Sequence, residues 1–458
     1  MNMQTGVDQP ILHDPEALLT LFQDVLRPAN GSSIRIRSCE TTYSRDSPTR
    51  SVAQYTVGIL DEATGQEMAQ VVTATTFGPS RTHTQWQRVL EGIPGAAQSI
   101  GPLALPAATY VPEHELIVQV FPFDFRLPGL VTLLDGSAEV AASLIGAAAN
   151  RVEIERWEAR VVRYRPDMRG TIHVNLQARD AESGAVEARC AYAKVYRDLD
   201  EGRHAYRLLQ ALHEQTASER AAFSVPRPIA YLENLQTLLV SEVAGDRLLE
   251  TIRRSKGTQA IPYVRRGAQA VAAMHQLSLP DGLLPEARRD KREQLASVAV
   301  RLARQDPDLA QEIDSLVAAI GNALEDPPLA PAHYDLKQGH ILIDGDEVVI
   351  LDFDKMAMGD PLVDVGNIVA TLGAERDGSQ ARAARRAALV DAFVDEYFAH
   401  VPSAWRAQFP AHFAAAALIE AGTTGRGQRG RQGQKNRADW VRAAIAQARS
   451  SLNGDLWR

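Results

Sequence analysis

Two runs of alternating apolar and polar positions flank an Asp-x-x-x-Gly turn at residues 55–77, YTVGILDEATGQEMAQVVTATTF, and the same form returns at 174–196 as VNLQARDAESGAVEARCAYAKVY. A period of two marks half-buried strands, and the short turn between them predicts a hairpin. Aligning Gly65 with Gly184 sets a shift of 119 residues, at which Arg50 falls on Arg169, Arg88 on Arg207, and Val89 and Leu90 on Leu208 and Leu209. Further on, HELIVQVFPFD (114–124) lines up with QTLLVSEVAGD (236–246) at a shift of 122. Each copy reads strand, turn, strand, helix, Pro-containing loop, strand and hinge. A register kept over most of a hundred residues predicts an internal duplication.

Beyond 246 the period changes. IPYVRRGAQAVAAMHQL, KREQLASVAVRLARQ and LAQEIDSLVAAIGNAL carry apolar residues every three to four positions, which predicts amphipathic helices, and Pro327 with Pro328 ends the run. A hairpin follows, with HILI and VVILDF around Asp344-Gly345-Asp346, before helical patterns resume at 382–398, 411–421 and 440–452. The expected organisation is three units: 1–150, 151–245 and 246–458.

Composition narrows the function. The 458 residues are 45% hydrophobic and 23% charged with a net charge of -8, so no global basic field gathers nucleic acid or an anionic membrane. The expected partner is a small molecule, with no nucleic acid and no membrane. Only Cys39 and Cys190 occur, far apart, which argues against a disulfide framework and against zinc-type spacing. Acids in the first residues and the lack of a long apolar run lead to the expectation of a cytoplasmic protein.

The chemistry concentrates in HYDLKQGHILIDGDEVVILDFD, residues 333–354. Phosphoryl transfer needs a cation for the donor phosphates, a carboxylate-held metal and a carboxylate near the acceptor hydroxyl. A hairpin brings its two ends together, so Asp335 and Asp352 can share one site.

This segment resembles the catalytic and metal loops of the aminoglycoside phosphotransferase family, whose pattern is H-x-D-x-x-x-x-N, a hairpin, then D-x-D and G-D-P-x-x-D. Here His333, Asp335, Asp352 and Asp354 match, and GDPLVD supplies Gly359, Asp360, Pro361 and Asp364. The match is tight over about 330–372 and looser from about 160 onward. The resemblance implies an α+β, protein-kinase-like two-lobe fold, with a small antiparallel β N-lobe and a mostly helical C-lobe. The segment before it, 1–150, reads as an α+β module resembling a second, degenerate N-lobe.

Carried over, the resemblance makes the chain an ATP-dependent O-phosphotransferase acting on a sugar or aminoglycoside-like small molecule, with ATP and Mg²⁺ as cofactors and Mn²⁺ as an alternative ion. Asp335 is then the catalytic carboxylate and Asp352 the metal ligand. Lys194, ending the second strand of its hairpin, is the cation for the α- and β-phosphates, with Glu201 or Glu214 as its acidic partner. Arg163 to Val174 is the turn over the nucleotide, with Gly170 and arginines in place of a glycine-rich sequence. Glu242 and Val243 offer backbone groups to adenine at a hinge that Gly245 lets turn. His333, Asp360 and Asp364 brace the loops, and Asp354 is either a second metal ligand or a solvated acid.

Two departures matter. His340 stands where the family has Asn, exchanging a neutral oxygen for an imidazole nitrogen that a hard cation accepts poorly. Three consequences are open: His340 only orients Asp335, the site prefers Mn²⁺, or transfer is lost. The last gives the alternative of a nucleotide-binding pseudokinase acting as a regulatory protein. In the first module Thr75 falls on Lys194, so that module lacks the phosphate cation and is assigned to capping, to dimerisation or to shaping the acceptor site. The segment 423–440, rich in Gly and Arg, reads as a solvated loop or as a clamp on an anionic acceptor, with Trp440 packing in the core, anchoring the loop or stacking on a sugar ring.

Overall fold

A computed structural model describes residues 10–78, 81–93, 99–101, 103–146, 152–218, 221–287, 291–324, 326–372, 380–423 and 431–456. The protein is α+β and divides into two compact units, one made of 1–206 with 228–242, the other of 207–227 with 243–458. The expected units 1–150 and 151–245 thus fall mostly within the first, while 207–227 belongs with the helical remainder.

The first unit holds two five-stranded antiparallel sheets of the same topology. In one, β1 (Ile34–Ser47), β2 (Arg50–Asp61) and β3 (Glu67–Thr76) are followed by helix α2 (Arg81–Gly92), the short pair β4 (Ser99–Ile100) and β5 (Leu105–Pro106), then β6 (Ala108–Val111) and β7 (Leu116–Val120). The order is β1-β2-β3-β7-β6. In the other, β8 (Val152–Arg165), β9 (Arg169–Asp180) and β10 (Val186–Tyr196) lead into helix α5 (Leu199–Ser218), then β11 (Pro228–Leu232) and β12 (Thr237–Ser241). Its order, β11-β12-β10-β9-β8, is the same arrangement.

Register supports the duplication residue by residue. Ser51 pairs with Thr76, and Gly170 with Val195, so both strands of the central hairpin keep the shift of 119. The turns match too: Gly65 and Gly184 sit at φ +71° and +68°, and each donates its N–H to the carbonyl of the Asp four residues earlier. The shift of 122 for the later strands is corrected to 121. Val72 pairs with Val120 and Ala191 with Ser241, and the left-handed residues ahead of these strands are Glu115 and Gln236. Neither is a glycine, so nothing in the local sequence anchored that turn.

The repeat also includes the helix before each sheet. Helix α1 (Pro15–Val25), capped by the Asp14 carboxylate, buries Phe22 against Tyr55 on the inner face of the first sheet. Helices α3 (Gly129–Asp135) and α4 (Ala138–Ile145) cover the equivalent face of the second with Leu130, Leu133 and Val140 against Ile172, Val174 and Val195. Gly170 is small for this reason: a Cβ there would lie 2.5 Å from Leu130.

The opposite faces diverge. On the first sheet, Thr73, Thr75 and Gln119 are buried. The β8–β9 turn is held by the first module: Asp167 bonds Arg50 at 2.9 Å, its N–H donates to Asp124 at 2.8 Å, and Tyr164 bonds Asp124 and Thr73. Burial, with the nearby Asp167, pushes the Asp124 carboxyl up to about 7. The first module therefore grips the second through the face that in the second carries Lys194.

The second unit is mainly helical. Helices α6 (Leu248–Arg254) and α7 (Ile261–Met274) precede α8 (Lys291–Gln305) and α9 (Ala310–Ala323), which share an apolar core with α12 (Phe409–Thr423) and α13 (Arg431–Leu452). Between them lie β13 (Asp246–Arg247), β14 (Ala330–Ala332), β15 (Ile341–Asp344), β16 (Glu347–Ile350), β17 (Ala357–Gly359), α10 (Leu362–Thr371) and α11 (Gln380–Ala399). The expected basic loop is corrected in part: its backbone is helical from Arg431, and 424–430, including Arg426 and Arg429, lie outside the described residues. No helix among the described residues is long and apolar enough to cross a membrane.

Candidate active site

Strand pairing places the two acidic loops of the second unit. β15 pairs with β16 in tight register, Ile341 opposite Ile350 and Asp344 opposite Glu347, with Gly345 at φ +56° turning the chain. β14 pairs with β17, Ala332 opposite Ala357, so the loops leaving β14 and entering β17 emerge side by side. These loops carry Asp335 and Asp352.

One histidine ties them together. His333 is fully buried; its Nε2 lies 2.9 Å from the Leu351 carbonyl and its Nδ1 accepts the Asp335 N–H at 3.3 Å. These partners assign the proton to Nε2. Beneath it, Asp364 accepts the N–H groups of His333 at 2.6 Å and Tyr334 at 2.9 Å, and His275 reaches Asp364 at 3.2 Å while bonding Tyr397 at 2.8 Å. Asp360 accepts the Leu362 N–H and lies 2.6 Å from His412, and its own N–H donates to the Tyr334 hydroxyl. A Cβ on Gly359 would lie 2.1 Å from that hydroxyl. Tyr334 and Asp352 both hold left-handed backbone, φ +59° and +70°, a strain of roughly 1–2 kcal/mol each that this bracing sustains.

Asp335 meets two cations that the sequence reading did not single out. Lys337 Nζ lies 3.2 Å from one carboxylate oxygen and Lys355 Nζ 2.9 Å from the other. Burial opposes ionisation, but the two ammonium groups outweigh it and hold the carboxyl below its ordinary value. Lys337 stands two residues after Asp335, and Lys355 one after Asp354; that spacing was the only available signal.

His340 Nε2 lies 3.9 Å from Asp352, and its Nδ1 is buried without a hydrogen-bond partner. Burial, helped by the stacked His333, pushes its pKa down to about 4, so the ring is neutral near pH 7. The nitrogen that faces Asp352 is Nε2, not the orphaned Nδ1, and a neutral imidazole placed so fits a divalent cation that accepts nitrogen better than an all-oxygen magnesium shell. Asp354 follows two residues after Asp352 and is half-buried.

Of the remaining predicted residues, Lys194, Glu201 and Glu242 lie in the first unit and Glu214, Val243 and Gly245 in the second. Lys194 is half-buried on β10, opposite Thr171 and Leu238, on the face away from α3 and α4. Glu201 bonds Arg169 at 2.8 Å and lies 4.0 Å from Arg197; Glu214 is exposed on α5. Glu242 follows β12 as the last residue of the first unit and Val243 opens the second. Gly245, at φ +112°, packs against the Ile343 carbonyl, where a Cβ would lie 2.9 Å away.

Three solved structures illustrate the likeness to known proteins. They are an ADP-bound aminoglycoside phosphotransferase, APH(2'')-Ib (12% identity, 63% of this chain and 94% of that one, TM-score 0.41), choline kinase from Cryptosporidium parvum Iowa II (10%, 70% and 96%, 0.43), and macrolide 2'-phosphotransferase MphH from Brachybacterium faecium (18%, 68% and 98%, 0.38). No curated protein matches. Residues 177–427, more than half the chain and the whole of the braced double loop, match a single family, and on that match the chain belongs to the phosphotransferase enzyme family.

Proposed function

We propose that the protein transfers the γ-phosphate of ATP to a hydroxyl of a small molecule, of the sugar or aminoglycoside-like class. The observation that carries this reading is Asp335, kept ionised by Lys337 and Lys355 and locked by His333 to the loop of Asp352. In a loose transition state the acceptor oxygen loses its proton late, so a strong base is not required. Asp335 accepts the hydroxyl hydrogen bond, aims the oxygen at phosphorus, and takes the proton as the new O–P bond forms and ADP leaves. Lys337 and Lys355, released from Asp335 as the acceptor binds, offset charge on the phosphoryl oxygens.

Asp352, with Asp354 and His340, would hold the divalent cation, which when bound neutralises charge on the donor phosphates. Lys194 would meet the α- and β-phosphates, and Glu242 and Val243 would offer backbone groups to adenine. The test is ADP release by the purified protein over a panel of sugars, aminoglycosides and amino alcohols, with Mg²⁺ or Mn²⁺. Acceptor-dependent ADP release supports the reading. Silence on every acceptor with either metal, equal to that of an Asp335→Asn control, would remove it in favour of a nucleotide-binding regulatory protein.

Two further outcomes are expected. His340→Asn should raise the ratio of Mg²⁺-supported to Mn²⁺-supported activity by about tenfold, the scale on which ligand changes alter metal affinity; an unchanged ratio would exclude His340 from the metal. Lys355→Met removes the ammonium 2.9 Å from Asp335, so that carboxyl moves up toward its ordinary value. Activity that needs ionised Asp335 is present above its pKa and lost as pH falls through it. The acid limb of kcat/KM should therefore shift to higher pH, and an unmoved limb would show that Asp335 ionisation does not set it.

A further inference from the structure

The face of the second sheet that carries Lys194 has a second group of polar side chains near its other end. His173 on β9, Cys190 on β10 and Glu242 just after β12 place one ligand atom each within 4.8 Å of one another. They come from three adjacent strands, with β10 in the middle. Along β10, Cys190 and Lys194 are four residues apart, roughly 13 Å at the rise of a strand, so this group is separate from the lysine.

The Cys190 thiol hydrogen-bonds the Glu242 carboxylate, and the His173 ring is left out of that bond. His173 Nε2 is 3.2 Å from Glu242 Oε1, yet it is buried and makes no hydrogen bond, because the approach lacks the geometry of one. Two lone pairs converging on one point give that pattern. Ligands at bond lengths of about 2.0–2.3 Å around tetrahedral zinc stand roughly 3.3–3.8 Å apart; the His173 and Glu242 atoms are already at 3.2 Å, and all three ligand atoms lie within 4.8 Å, so small side-chain shifts bring them to that spacing. Asn175, directly across from Cys190, adds a buried carbonyl oxygen with no hydrogen-bond partner. Thiol sulfur with imidazole nitrogen selects zinc-class ions over magnesium or calcium.

From this juxtaposition we infer that His173, Cys190 and Glu242 form a binding site for a zinc-class divalent cation, stapling β9, β10 and the end of β12 and leaving one coordination position for water or for Asn175. On binding, the sulfur–hydrogen bond of Cys190 breaks, the proton passes to solvent, and the thiolate pair binds the ion with no change of oxidation state. The two readings share Glu242 but not its atoms: the cation would take the side-chain carboxylate, and the phosphotransfer reading uses the backbone.

Cobalt is the probe, since a thiolate bound to Co²⁺ gives a charge-transfer band in the near ultraviolet. Titrating the reduced, metal-free full-length protein should give a band that saturates at one equivalent and is displaced by Zn²⁺, and Zn²⁺ should raise the melting temperature. Cys190→Ser should abolish the band, Cys39→Ser should keep it, and His173→Ala or Glu242→Gln should weaken binding by about tenfold or more. Alkylating the remaining thiol of Cys39→Ser gives a second route to its loss that does not depend on the serine variant folding. No band in the wild type, or a band that survives loss of the Cys190 thiol, would overturn the site.

Discussion

Asp335→Asn is expected to lower kcat by about a hundredfold to ten-thousandfold, the range assigned to a positioned proton acceptor. The side chain keeps its shape, and its loop stays braced because the brace runs through the backbone: the Asp335 N–H to His333, and the His333 and Tyr334 N–H groups to Asp364. What goes is the charge. The amide no longer neutralises Lys337 and Lys355 and no longer accepts a proton, so ground-state nucleotide binding should persist or strengthen while turnover falls. Steady-state ADP release gives kcat, and thermal shift with nucleotide reports binding. A variant retaining more than a tenth of the wild-type kcat, with binding intact, would mean that Asp335 orients nothing essential.

Asp364→Ala is expected to destabilise the second unit by about 3–5 kcal/mol. Both carboxylate oxygens are fully buried, and they accept two backbone N–H groups and face His275. Truncation leaves two N–H groups and an imidazole without acceptors, each worth about 1–3 kcal/mol when buried and unpaired. The left-handed backbone at Tyr334 then loses its anchor as well. Urea unfolding should show a lowered midpoint; a change under about 1 kcal/mol would contradict the bracing role, since surface substitutions commonly stay below that. Asp364→Asn, which still accepts one N–H, should fall between the two.

The closeness of the Asp335 and Asp352 loops was legible because they are short and adjoin one hairpin, so spacing along the chain stands in for distance in space. The duplication was legible for a similar reason: Gly65 and Gly184 mark one turn, and period-two alternation extends the register on either side. The shift at the later strands was misread by one residue because the turns before them use Glu115 and Gln236, which carry no glycine signal. Helices α1, α3 and α4 escaped notice as parts of the repeat because their equivalence lies in which sheet face they cover. Lys337 and Lys355 were passed over because lysines near a turn are usually solvated. His275 and His412 lie about 89 and 52 residues from their aspartates, and such pairings are set by helix packing, on which a linear pattern is silent. The His173, Cys190 and Glu242 group was hidden likewise, since cross-strand neighbours have no fixed spacing in sequence.

The grip of the first module on the β8–β9 turn bears on what the first module can bind. Thr75 occupies the place of Lys194 and is 1% exposed, packed on a face that now receives Tyr164, Asp124 and Asp167. A lysine at 75 would set an ammonium group on the face that holds the buried carboxylates of Asp124 and Asp167, so it would be drawn into the contact between the two modules and not offered to a phosphate. The contact that closes this face to ligand is also what fixes the shape of the β8–β9 turn.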